Sequence, residues 1–434
     1  MENEQNEGLK REIGILDVAV NVVNISIASG IFLLPAIVAG ILGNASFMAY
    51  ILCGSLFLLI ALCYAEASSR ITVTGGAYTY IEHAFGKYIG FIGNSLVWFG
   101  CGVFVSAAMI NGIADVLSVA FPIFTNSLFR GLFFIFLLGF CAYFNVRGIK
   151  QGMNVIKLIT LIKVLPLLLL VGVGLFYIQS DNLRWENLPT FNSLGEASLI
   201  LFFAFTGGEM SVNISGEMKN PNRTAPLGLL LGIVVIIIFY CLIQLVAQGV
   251  LGSDILNHKE APLAAVAGVL FGPIGITLLT ICSVLSIFGS LNSVILLFPR
   301  TLYAGAKDGT MPHYLSKIHP QYATPHWSII SFCVMAFIVA ISGGFKQLII
   351  LATASIFLVH LGVVLSVIKS HVTKETDQTA TFKLPGGLTI PVISLIVIIW
   401  FLFQLKTNEV IAMGIFMAIL TVIYLIFNRK NIPS

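Results

Sequence analysis

Apolar stretches long enough to cross a bilayer recur along this chain from end to end. About 30 Å of hydrocarbon needs roughly twenty apolar residues in a helix. Twelve segments meet that requirement, at residues 15–41, 45–68, 89–119, 128–146, 154–178, 195–217, 226–250, 273–302, 326–342, 347–368, 389–405 and 409–427. The pattern predicts an all-α, polytopic membrane protein with an even number of crossings, so both termini share a side.

Composition agrees with the pattern. Of 434 residues, 58% are apolar and 10% charged, against about a quarter charged in soluble domains. That balance excludes a disordered chain, a secreted disulfide scaffold and a soluble enzyme. The net charge of +4 matters less than where the basic residues lie. About seventeen Lys and Arg flank the segments on the side of the termini, against about five (Arg130, Arg184, Lys259, Lys346 and Lys406) on the other. Both termini are therefore expected in the cytoplasm and the protein in the cell membrane. The acidic start, Met1 to Glu12, is not expected to be a removable signal peptide. The seven cysteines all fall inside apolar stretches, without CxxC spacing, and read as small packing residues. No metal ligand set and no cofactor motif is visible.

Two segments are interrupted where hydrocarbon should be deepest. Ser26-Ile27-Ala28-Ser29-Gly30 divides the first, and Phe205-Thr206-Gly207-Gly208-Glu209 divides the sixth, with Ile31, Phe203 and Ala204 beside them as further candidate substrate-binding residues. Each opens a group of five segments, and paired Gly-interrupted segments in corresponding halves point to an inverted-repeat transporter. A broken helix exposes N–H groups at the start of its second half and C=O groups at the end of its first. A zwitterionic amino acid fits the pair: its carboxylate on the N–H groups of Ser29, Gly30 and Ile31, its ammonium on carbonyls near Ser26, Ile27, Phe203 and Thr206. The alternative is that Gly and Ser merely permit close helix packing. Two loops, 70–88 and 252–272, also carry enough apolar residues to lie in the interface or dip inward.

The strings SIASGIFLLPA, ITVTGGAYTYIEHAFG, FFAFTGGE with SGEMKNPNRTAPLG, and SIFGSLNSVILLFPRTLYAGAKDG resemble the amino acid-polyamine-organocation (APC) superfamily, specifically bacterial permeases and exchangers related to the L-type amino acid transporters. The resemblance implies a LeuT-like fold of two inverted five-helix halves with helices 1 and 6 broken. It implies a transport core over 15–368, between a tail at 1–14 and a cytoplasmic loop at 369–388, with peripheral helices over 389–427 and a tail at 428–434. The family's GSGIF loop is Ala28-Ser29-Gly30-Ile31-Phe32 here, with Ala28 replacing the first glycine. Phe203 matches an aromatic that closes over substrate, and Gly207 the point where the backbone opens.

Lys163 lies about ten residues into the fifth segment, where an unpaired charge costs several kcal/mol; it could neutralise on proton release, stay charged as a fixed cation, or snorkel to the interface. In relatives, a lysine at this place resembles a substitute for a bound sodium ion, bridging the helix 1 loop and helix 8, with Ser286 and Ser290 its natural partners. Glu209 could act as a proton-linked switch or accept hydrogen bonds from the unwound backbone. Glu66 and Glu217 suggest gating or ion-pair networks with Arg70 or Arg223, and His360 either a group that titrates near neutral pH or a packed, hydrogen-bonded core histidine. The implied activity is secondary amino acid transport, for neutral substrates by exchange or proton symport. A cationic amino acid or amine antiporter and a non-transporting sensor stay open. No selectivity ring marks a channel, and His313 and His319 are too isolated for an enzyme. The expected partners are an amino acid, protons as a candidate coupling ion, and lipid, with no nucleic acid; monomer and homodimer are both compatible.

Overall fold

In hydrocarbon every backbone polar group must be satisfied within the chain, and the apolar stretches meet this as helices. The structure, a computed structural model, describes residues 9–185, 188–259, 261–342, 345–373, 381–403 and 407–429; the side chains of Ser29 and Phe203 lie outside the described set. Among the described residues there is no strand beyond one isolated bridge, Ile13 with Met218.

The helices are α1 (Ile15–Ser26), α2 (Ser29–Leu42), α3 (Ser46–Arg70), α4 (Ala77–Phe85), α5 (Lys87–Ser95), α6 (Phe104–Ala120), α7 (Ser127–Val146), α8 (Ile149–Gly174), α9 (Phe191–Phe205), α10 (Pro221–Leu251), α11 (Pro262–Lys307), α12 (His326–Ser342), α13 (Phe345–Val372), α14 (Thr389–Phe403) and α15 (Thr407–Arg429). A π-helical stretch, Leu96–Val103, joins α5 to α6, and a 3-10 stretch, Gly208–Glu217, follows α9. Gly272 turns the chain within α11, separating 262–271 from 273–307. Grouped in chain order, these elements reproduce the twelve predicted segments. Among the described residues, seven helical spans are individually long and apolar enough to cross a membrane, and shorter apolar helices such as Ile15–Ser26 and His326–Ser342 accompany them.

The outer helices turn large apolar side chains outward. Leu128, Leu132, Ile135 and Phe136 of α7, and Leu158, Leu161, Leu165 and Leu168 of α8, are exposed, as contact with lipid allows. The first segment occupies the interior instead. α1 packs on α8, α10 and α11, and α2 on α9 and α11. Its approach to α10 depends on Gly228 and Gly232, where a Cβ would lie 2.6 Å from Val18 Cβ and 2.5 Å from Val22 Cβ respectively.

At one end of the bundle, called the near end, the sixth segment finishes where the first begins. Glu12 and Ile13 donate backbone N–H groups to the Glu217 carbonyl at 3.0 and 3.1 Å, and Lys219 donates to the Ile13 carbonyl at 2.8 Å. The two broken segments therefore run in opposite senses, the relation that an odd number of crossings per half requires. The far end is clasped separately: Gln179 N–H reaches the Gly249 carbonyl at 3.0 Å, and Asn44 Nδ2 reaches that of Arg184 at 2.9 Å.

A side chain at position 232 must force α1 and α10 apart, and overpacking of this kind typically costs about 1–3 kcal/mol. Gly232→Leu is expected to lower the thermal midpoint of the purified protein by several degrees, read by size-exclusion chromatography after heating. Gly131→Leu, on α7 where an added Cβ meets nothing within 4 Å, is expected to leave it unchanged.

Candidate functional site

The break in the first segment is short. α1 ends at Ser26, Ile27 and Ala28 depart from helical geometry, and α2 resumes at Ser29. No side chain caps α2, so helix geometry leaves its first N–H groups, including those of Gly30 and Ile31, without intrahelical partners. In the sixth segment α9 ends at Phe205, Thr206 is extended, and Gly207 takes φ 106°, a conformation open to glycine at little steric cost. The two breaks abut: a Cβ on Gly30 would stand 3.0 Å from Ala204 Cβ.

Lys163 is wholly buried. Its Nζ donates to the carbonyl oxygen of Ile27 at 2.7 Å and to that of Asn24. Ser286 Oγ donates to the Ile27 carbonyl at 2.5 Å, and Ser290 Oγ to the Asn24 carbonyl at 2.9 Å. One amino group and two hydroxyls thus cover the carbonyl end of α1, answering acceptors that the helix left open. The structure brings together Lys163, Ser286, Ser290 and the helix 1 break, as the sequence suggested. A chain of polar side chains that the sequence reading passed over holds the same helices. Asn24 Nδ2 donates to the Gly289 carbonyl and to Ser293 Oγ, both at 2.7 Å. Ser293 Oγ donates to Asn21 Oδ1 at 2.7 Å, and Asn21 Nδ2 to Ser211 Oγ at 3.2 Å.

These contacts revise one expectation. The Ile27 carbonyl, assigned from the sequence to a substrate ammonium, is already held by Lys163 and Ser286. The Ser26 carbonyl accepts Tyr240 Oη at 2.6 Å and the Ala28 N–H at 2.8 Å. Tyr240 also reaches the Ala204 carbonyl at 3.2 Å, pinning both breaks from α10. At the second break the Gly207 N–H, which would close the helix onto the Phe203 carbonyl, donates instead to Glu209 Oε2 at 2.7 Å. The carbonyl end of α9 is therefore the better cation site, with the Glu209 carboxylate beside it.

A cavity of about 540 Å³ opens from the breaks toward the far end. Ser26, Ala28, Gly30, Ala204, Thr206, Gly207 and Glu209 form its floor. Its walls are largely apolar, with Cys101, Val105, Ala108 and Met109 from the third segment, Val294 and Phe298 from α11, and Ile356 from α13. Leu263 and Ala264 of 262–271 line it near the far end, as does Asp115, whose Oδ1 accepts Arg130 Nη1 at 2.8 Å. Thus the loop at 252–272 does dip inward.

None of the near-end contacts lines this cavity among the described residues. There Glu217 meets Arg300 Nε at 2.8 Å, both wholly buried, in place of the Arg223 contact suggested by the sequence. Glu66 meets Arg70, and its Oε1 and Oε2 lie 3.0 and 3.1 Å from His371 Nε2. The 70–88 loop packs into this end, with Gly75 N–H on the Asn213 carbonyl at 3.0 Å and Tyr78 Oη on Asp308 Oδ2 at 3.0 Å. Lys157 pairs with Asp17.

An inward cavity floored by two opposed helix breaks, in an all-helical apolar bundle, is the build of a membrane carrier for small solutes. The profile of the amino acid permease family matches residues 13–427; the chain belongs to that family and is a multi-pass membrane transporter of amino acids. It is 32% identical over 343 residues to the serine/threonine exchanger SteT of Bacillus subtilis (strain 168), covering 76% of each chain. It is 25% identical over 461 residues to the branched-chain amino acid permease BcaP of the same organism, covering 98% of this chain and 94% of the relative. The methylthioribose transporter of that organism is 25% identical over 458 residues, covering 98% and 95%.

Two substitutions test the floor. Gly30→Val must displace Ala204 and cover the first N–H groups of α2, so binding of labelled amino acid to purified protein is expected to fall at least about a hundredfold, with Gly30→Ala intermediate. Lys163→Ala strips the ammonium from two carbonyls and is expected to lower transport at least about tenfold; wild-type kinetics would reduce Lys163 to a packing residue.

Proposed function

We propose that the protein carries neutral amino acids by alternating access, through exchange or proton symport. The observation that supports this best is the cavity between the two breaks, with donors on one side, acceptors on the other and an apolar wall. The substrate carboxylate sits on the N–H groups of Gly30 and Ile31 at the positive end of α2, together with that of Ser29. Its ammonium lies at the carbonyls of Phe203 and Thr206, next to Glu209. Its side chain faces Cys101, Val105, Val294, Phe298 and Ile356, none of which offers a charge to a cationic group. Phe203 closes over the bound molecule.

Lys163 acts as a fixed cation where a sodium-coupled carrier would hold its ion, and a second cation there would be repelled. Breaking the contacts of Lys163 and of the near end, while the far end closes over the cavity, gives the alternate state. The segments over 15–368 form the moving core, and those over 389–427 pack outside it. By the bias of basic residues the near end is cytoplasmic, so the conformation described faces outward across the cell membrane. The names of the exchanger SteT and the permease BcaP are consistent with small neutral substrates.

A second reading, a cationic amino acid or amine antiporter, draws on Glu209 and Asp115, the charged residues that line the cavity among those described. Proteoliposomes separate the two. Vesicles loaded with serine, threonine or leucine are expected to take up the labelled neutral amino acid at least about tenfold faster than empty ones, with little uptake of labelled arginine or lysine. Uptake of the cationic pair alone would reverse the assignment. Accumulation in empty vesicles under an inward proton gradient would favour symport, and binding without uptake a sensor.

A further inference from the structure

Behind the second break lie two polar side chains that the binding site does not use, Tyr64 and His360, next to the carboxylate of Glu209. His360 of α13, wholly buried, has Nδ1 3.0 Å from Tyr64 Oη of α3. Its Nε2 lies 3.5 Å from Glu209 Oε1. Neither Nε2 nor Oε1 has a hydrogen-bond partner among the described residues. Two buried polar atoms left facing each other are costly unless a proton lies between them. The other carboxylate oxygen holds the Gly207 N–H at 2.7 Å, so the charge of Glu209 is felt where the helix opens.

The trio has two consistent arrangements. Without an added proton, Tyr64 O–H donates to Nδ1 and Nε2–H to the ionised Glu209, and the trio carries one negative charge. With one more proton, Nδ1–H donates to Tyr64 Oη and a single proton lies between Nε2 and Oε1, so the trio is neutral. The ionisable side chains near the trio are Cys63 of α3, Tyr80 of α4 and Cys101 of the π-helical stretch, with Tyr240 of α10 at the break. None of these is a cation. Lys163 is committed to the carbonyls of α1. The negative form therefore needs a positive charge from the cavity, which Glu209 lines.

We propose that Tyr64 and His360 are positioning residues for Glu209, and that a proton and the substrate ammonium are mutually exclusive partners of its carboxylate. This rests on the amino acid site described above and sharpens it. Substrate arriving at the break expels one proton into the cavity water, and substrate leaving lets one return. A carrier in which proton and substrate displace each other from one carboxylate cannot move both in the same step, which favours exchange over proton symport.

Proton release on binding tests this in the full-length purified protein. Serine, threonine or leucine is added to weakly buffered samples containing a pH dye, and bound amino acid is measured in parallel with radiolabel. Release is expected to approach about one proton per amino acid bound at acidic pH, and to fall toward zero as rising pH removes the proton beforehand. Glu209→Gln should abolish the release. His360→Gln and Tyr64→Phe should each shift the pH of half-release by about one unit or more. Binding without release across the pH range would overturn the proposal, as would an unchanged pH profile in both positioning variants. Absence of binding by wild-type protein to any of the three would overturn the neutral amino acid site, and the proposal with it.

Discussion

A helix cannot be left open in hydrocarbon unless something answers its exposed carbonyls, and here Lys163 answers those of α1. Its amino group, with the hydroxyls of Ser286 and Ser290, supplies the donors that Asn24 and Ile27 lost when the helix stopped. Burying a lysine and unwinding a helix are each unfavourable; placed against each other, the two demands are met together. The opened strand at Ala28, the resumption of α2 with free N–H groups, and the juxtaposition of Gly30 with Ala204 all depend on that arrangement.

The same economy distinguishes the two ends of the molecule. At the near end, backbone pairing of Ile13 with the end of the sixth segment, the buried Arg300–Glu217 pair and the packed 70–88 loop join both broken segments to the surrounding helices. Toward the far end the cavity is bounded instead by apolar wall and by helix 262–271. The broken helices are thus joined to their neighbours at the near end, while the cavity lies toward the far end, an asymmetry that the proposed alternating access would reverse.

Much of this was legible in the sequence, because hydrocarbon imposes a severe filter. Glycine and serine clusters at residues 26–30 and 206–208 stand out against unbroken apolar runs, and a lysine at 163 has few reasons to be there. The limits are equally physical. Helix geometry shows which carbonyls lose their partner within a helix, but not which of them another helix claims. That is why Ile27 and Ser26 were assigned to substrate, whereas Lys163 and Tyr240 hold them. Tyr240 sits in an apolar run with no local signal of its task. Asn21, Asn24, Ser211 and Ser293 are brought together from three segments, and Glu217 and Arg300 from two, by packing that no local spacing encodes.

Whether the two helix breaks hold both ends of the substrate's backbone is read from a structure determined with a bound neutral amino acid. The carboxylate is expected within hydrogen-bond distance of the Gly30 and Ile31 N–H groups, and the ammonium at the carbonyl end of α9 beside Glu209. An amino acid bound instead near Asp115, with the N–H groups of α2 facing only water, would contradict that placement.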